Sequence, residues 1–213
     1  MAAELEEAPY PCPACGATLY GWTAAHDPLD RGKRIVLDRC ENCGLSVTRA
    51  PSTPDVDAEI EPLLSDEGGD RFTLTAPNRR SIQGSLGGAQ WAGLEPELRR
   101  LHLNPESIRL LLAKRGLQVD EVKTPLSRES RRLMIQTLLN AFTYRDNFLR
   151  NARAGRVPRS TTGERWLYRL DWVVSVLVYV PCALFGVPLE AVASATGRGG
   201  VMIVEARKGS DPH

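Results

Sequence analysis

The sequence predicts an α/β fold, an α+β-like arrangement in which a small cysteine-bearing ribbon precedes a sheet of about three strands with helices packed on it. Three observations predict it. Two C-x2-C motifs lie near the N-terminus, separated by 24 residues. Behind them, from Pro51 to Asp70, seven acidic residues and no basic one mark a linker. Beyond that, short apolar runs bounded by turn residues alternate with longer stretches of helical periodicity. The expected organisation is a ribbon over 1–50, an acidic linker over 51–70 and an α/β domain over 71–213.

The cysteines come first in the chain and carry the most specific signal. "YPCPACGATLY" holds Cys12 and Cys15, and "DRCENCGLSV" holds Cys40 and Cys43. A two-residue spacer lets both thiolates of a knuckle face one ion. Gly16 and Gly44 follow the second cysteine of each pair, where a positive φ turns backbone N–H groups toward sulfur. Four soft ligands in a tetrahedron suit structural zinc, and a full ligand set leaves no open position for water or substrate. A redox pair does not explain two matched knuckles. "RIVLDRC" (34–40) reads as a strand entering the second knuckle, and His26 as a loop residue or an alternative ligand. Zinc ribbons serve nucleic-acid binders, enzymes and interaction modules alike. Arg31, Lys33, Arg34 and Arg39 lie near Tyr20 and Trp22, but Asp27, Asp30, Asp38 and Glu41 dilute them, so nucleic acid is not the expected partner and a zinc-ribbon nucleic-acid binder stands as an alternative.

In "GDRFTLTAPNRRS", Phe72 and Leu74 alternate with Thr73 and Thr75 and predict a strand over 71–76 that Pro77-Asn78 stops. Asn104 as N-cap, Pro105 as first helical residue and Gly116 as stop predict a helix whose apolar stripe is Ile108, Leu111 and Leu112. "LQVDEV" reads as a second strand, a longer helix is expected from about Arg128 to Ala154, and "GRGGVMIVEARK" reads as a terminal strand. Residues 172–189, "WVVSVLVYVPCALFGVPL", carry no charge. They are expected to form two buried helices broken at Pro181 and Pro188; shallow membrane contact is the alternative. Cys182 within them reads as a small buried side chain.

Net charge is +1, so the whole chain is no polyanion binder, yet residues 145–169 hold seven arginines against two acids. That stretch is either a solvated helix face or a phosphate- or membrane-facing patch. "MAAELEEAPY" has no apolar core, so no signal peptide is expected and a cytoplasmic setting follows, in which thiols stay reduced.

"CPACG…CENCGLSVTRAPSTPD" resembles the zinc-binding segment ahead of some class I S-adenosylmethionine-dependent methyltransferases. "FTLTAPNRRSIQGSLGGAQWAGLEPELRRLHLNPESIRLLLAKRGLQVDEV" is similar to their second half, and "GRGGVMIVEARK" to their last, antiparallel strand. The resemblance spans about Cys12 to Lys208 and implies a truncated Rossmann-like methyltransferase C-terminal half. It also implies that Asn78, Trp91 and His102 match positions facing the methyl acceptor, with His102 as a candidate general base. On their own residues, Asn78 is a turn former, Trp91 packing, and His102 a histidine at a helix mouth.

One departure outweighs the matches. The family holds its first four strands and its glycine-rich cofactor loop between the zinc segment and the fifth strand. Here 27 residues, Leu45 to Arg71, stand in that place. Gly68-Gly69 follows no apolar strand, and no acid trails Gly84, Gly87 and Gly88 at useful distance. The chain is therefore expected to lack a cofactor site and to act through protein contacts. A split enzyme is the alternative, with S-adenosylmethionine held by a partner chain and a small molecule or sugar as acceptor. The strand at 71–76 is expected to present an open edge that a partner, a second copy or the linker covers. The expected strand order is first, last, middle.

Overall fold

The computed structural model describes residues 7–30 and 32–209. Its architecture is mixed α/β with two four-stranded sheets; the sheet behind the ribbon was expected to have about three strands. The first sheet is the ribbon. Strands β1 (Leu19–His26), β2 (Arg34–Cys40), β3 (Ser46–Thr48) and β6 (Leu101–His102) lie in the order β1-β2-β3-β6, every pairing antiparallel. The last strand comes from beyond the linker, so the ribbon is completed by the second half of the chain.

The second sheet runs β4 (Leu64–Gly68), β5 (Arg71–Pro77), β8 (Val201–Lys208), β7 (Leu117–Lys123). β8 is antiparallel to both β5 and β7, so those two run parallel with the terminal strand between them. This is the expected first-last-middle order. Stretch 51–70 is folded. Asp55 caps α1 (Val56–Ile60) by accepting from the N–H groups of Asp57 and Ala58, and β4 follows. β4 pairs with β5 from Leu64↔Leu74 to Gly68↔Arg71. The open edge expected at 71–76 is thus closed by the chain itself. β4 is short and carries Asp66 and Glu67, which blunt the new edge against further pairing.

Helix α3 (Pro105–Lys114) starts where its cap residues place it, and Asn104 accepts from the N–H groups of Glu106 and Ser107. Helix α4 (Arg128–Asn140) ends early. The Thr143 hydroxyl donates to the Arg145 carbonyl at 2.9 Å, with the Leu139 carbonyl also within 3.2 Å, and Asn147 sits at φ 55°. A separate short helix, α5 (Phe148–Arg153), follows, so the single helix expected over 128–154 is two.

Helix α6 (Thr162–Ala195) differs most from expectation. It is one helix of 34 residues running through Pro181 and Pro188, not two broken ones. Nor is it buried: of its most apolar 18 residues only 17% are. Its inward stripe is small or polar, namely Asp171, Ser175, Cys182, Gly186, Glu190 and Ala193, and it packs on α4. A side chain at Gly186 would press on Leu138 and Met134 of α4, which explains the glycine there.

One core serves both sheets. Tyr10, Cys12, Leu19, Cys40 and Leu45 belong to the same buried cluster as Leu74, Ile108, Leu112, Met202 and Val204. The ribbon is therefore packed as part of the body.

Candidate metal centre

Each knuckle forms because its glycine bends the chain back. Gly16 (φ 78°) donates to the Cys12 carbonyl at 2.8 Å, and Gly44 (φ 69°) to the Cys40 carbonyl at 2.9 Å. The cysteine N–H groups donate in turn to the carbonyls of Ala17 (2.7 Å) and Leu45 (2.9 Å). The knuckles then face each other. Cys12 Sγ lies 3.6 Å from Cys43 Sγ, and Cys15 Sγ lies 3.4 Å from Cys40 Sγ. All four sulfurs fall within 4.8 Å of one another.

These distances suit a metal ion and not disulfides, whose sulfurs bond at about 2 Å. A tetrahedral ion with Zn–S near 2.3 Å sets its sulfurs about 3.8 Å apart. The electrostatics also ask for a cation. Burial pushes the Cys12 thiol up to about 11 and the Cys43 thiol further. At Cys15 burial is outweighed by the Ala17 N–H and the Asn42 side chain, which bring that thiol down to about 6. A divalent ion at the centre favours all four thiolates at once. The cluster contains the four predicted cysteines; His26, at the far end of β1, is not among them. Four sulfurs around one ion would fill a tetrahedral shell, an arrangement consistent with a structural ion.

Asn104 joins this clamp to the rest of the molecule. While its Oδ1 caps α3, its Nδ2 donates to the Cys43 carbonyl at 3.1 Å. Lys114, at the other end of α3, donates to the Pro13 carbonyl at 2.6 Å. Sequence reasoning assigned Asn104 the cap alone; its second bond spans 61 residues and leaves no local signal.

The residues matched to the methyl-acceptor face lie at the carboxyl end of β5. Trp91 and His102 line a cavity of about 310 Å³ together with Glu59, Ala76, Arg99 and Leu103. Asn78 is buried elsewhere in the turn, where its side chain donates to the Gly199 carbonyl and accepts from the Arg80 N–H. Trp91 Nε1 donates to Gln83, whose amide donates to the buried Glu190 carboxylate. Arg79, also buried, lies 4.2 Å from the Trp22 ring and 5.9 Å from that of Trp91.

His102 is 4% exposed, with Nε2 2.9 Å from Thr48 Oγ1. The Thr48 hydroxyl also lies 3.2 Å from the Arg99 carbonyl, so it links the ring to that carbonyl. Burial, then Arg79 and Arg99, push its pKa from 6.5 down to about 3. A histidine so held is a poor base near neutral pH, and its bond ties β6 to β3.

This gives an acid-sensitivity prediction. The unfolded chain takes the proton first, so the contribution of His102 is complete above about pH 6.5 and is lost as pH falls toward 3. The slope reaches about 1.4 kcal/mol per pH unit. Urea unfolding of wild type and His102→Gln from pH 7 to 5 should show their difference shrinking on acidification. A constant difference would contradict the buried neutral ring.

Comparisons with protein-family models, with curated proteins and with solved structures found no match for this chain.

Proposed function

We propose that the chain is a zinc-clamped, methyltransferase-like binding module that has no S-adenosylmethionine site of its own and acts through contacts with other proteins. Zinc is inferred from the donor set: four thiolates, closely spaced and mostly buried, select a soft tetrahedral ion over oxygen-seeking ones. The methyltransferase likeness draws support from the strand order β5-β8-β7, with β8 antiparallel between two parallel strands. It draws support also from the Pro77-Asn78 turn and from the helix ending at Arg115-Gly116 ahead of β7.

The observation that carries the non-catalytic reading is β4. It occupies the β5 edge beside which a cofactor-bearing half would have to pair. Gly84 and Gly87 lie within α2 (Ile82–Gly87), a short helix, and Gly88 in the single turn after it, and among the described residues no strand of an opposite half completes a cradle. Calorimetric titration of the metal-loaded chain with S-adenosylmethionine is expected to give no binding heat; micromolar affinity would refute the proposal.

A split enzyme is the second reading, favoured by the cavity that Trp91 and His102 line. It requires β4 to leave β5 when the other chain docks. Co-purification of a chain bearing a glycine-rich cofactor loop, with methylation activity only in the complex, would establish it in place of the first.

A further inference from the structure

We propose that α6 docks the protein in the plane of a lipid bilayer, with the arginines beside its N-terminal half binding anionic headgroups. This goes beyond the methyltransferase reading and does not depend on it. The first observation is an inverted helix. A surface helix of a globular protein turns large apolar side chains inward. α6 turns small and polar ones inward and leaves Trp166, Val173, Leu177, Val180, Leu184 and Phe185 between 56% and 71% exposed.

The second observation is the width of that surface. At 3.6 residues per turn, the exposed large apolar residues from Trp166 to Val192 cover about two thirds of the helix circumference. A second copy pairing helix to helix would bury a narrow seam and leave the flanks wet. Lipid contacts the whole arc. The third is charge. Arg153, Arg156, Arg159, Arg165 and Arg169 are exposed and make no ion pair among the described residues. Arg159 lies 3.8 Å from the Tyr168 ring and Arg169 5.9 Å from that of Trp166, so cations and aromatics are interleaved as at a membrane interface. The nearby acids are engaged: Asp171 is buried against Arg145 at 3.3 Å, and Glu164 caps the helix start.

In-plane docking follows from what lies alongside. α5 packs on α6, and its Arg153 lines the same groove as Trp172, Tyr179 and Val180, beside the middle of the uncharged run. A crossing helix would carry that arginine into hydrocarbon at a cost of several kcal/mol, on the order of 3.

Flotation of the full metal-loaded chain with vesicles tests this, using phosphatidylcholine alone and phosphatidylcholine with phosphatidylglycerol. Wild type is expected to float with the anionic vesicles. A Leu177→Glu/Val180→Glu variant, altered only at sites 70% exposed, should lose partitioning by about 100-fold or more with unchanged circular dichroism. Arg165→Gln/Arg169→Gln should lose roughly 10-fold on anionic vesicles. The proposal is overturned if wild type stays unbound, if the glutamate variant floats equally, or if both vesicle types bind alike. A stable dimer that covers α6 and ignores vesicles, or protein that resists alkaline extraction as a spanning helix does, also overturns it.

Discussion

Cys40→Ser is expected to abolish the folded state of the entire chain. Metal binding at a four-thiolate site contributes on the order of 10 kcal/mol or more, comparable with the whole stability of a domain this size. If the ribbon were a separate appendage, losing the ion would unfold it and spare the sheet. It is not separate. Cys40 shares a buried cluster with Leu74, Ile108 and Val204, β6 completes the ribbon sheet, and Asn104 bonds both the Cys43 carbonyl and the start of α3. The purified variant should therefore show no cooperative thermal transition, and a strong chelator should produce the same state in wild type. A variant that keeps a normal melt of its remaining strands and helices would show the two parts to be independent.

The second large effect is expected at Asp171. Its carboxylate is 1% exposed, accepts the Tyr144 N–H at 2.6 Å and pairs with Arg145 at 3.3 Å. Burial pushes its pKa up, while the Tyr144 N–H and Arg145 oppose that. Asp171→Ala strands a buried guanidinium and a backbone donor, which costs about 3–5 kcal/mol. Asp171→Asn keeps an acceptor for Tyr144 and should cost less, about 1–3 kcal/mol. Pairing Asp171→Leu with Arg145→Met should recover much of the loss, because the buried charges are then removed together. Urea midpoints at fixed pH measure all three. An alanine variant within about 0.5 kcal/mol of wild type would mean that this pair does not fasten α6 to the body.

What was legible in the sequence was local chemistry. The cysteine spacing placed the candidate metal centre, Asn104-Pro105 and Gly116 framed α3, the alternation in 71–76 marked β5, and "LQVDEV" and "GRGGVMIVEARK" marked β7 and β8. The strands it did not reveal depend on partners far along the chain. β4 reads "LSDEG", which has no apolar alternation and is a strand only because β5 offers it an edge. β6 is two residues held by β3. β1 is interrupted by a bulge between Gly21 and Thr23 that hides its period. The break after α4 is set by Asn140 bonding Asn147 and by Thr143 bonding the backbone, with no glycine or proline to announce it. α6 misled in the opposite way. Proline disfavours a helix interior by about 3 kcal/mol, yet the helix continues through both prolines with its apolar face outward, where burial inside a core had been expected. His102 was visible as a residue but not as a buried, neutral one, since it is buried in a strand paired with β3, more than 50 residues away in the chain.

The central claim is that Cys12, Cys15, Cys40 and Cys43 close around one structural zinc ion. X-ray absorption at the zinc edge of the purified chain tests it most directly. The expected spectrum is one zinc per chain with a shell of sulfur alone, at about 2.3 Å. A nitrogen or oxygen in that shell, or protein that folds fully with no bound metal, would contradict it.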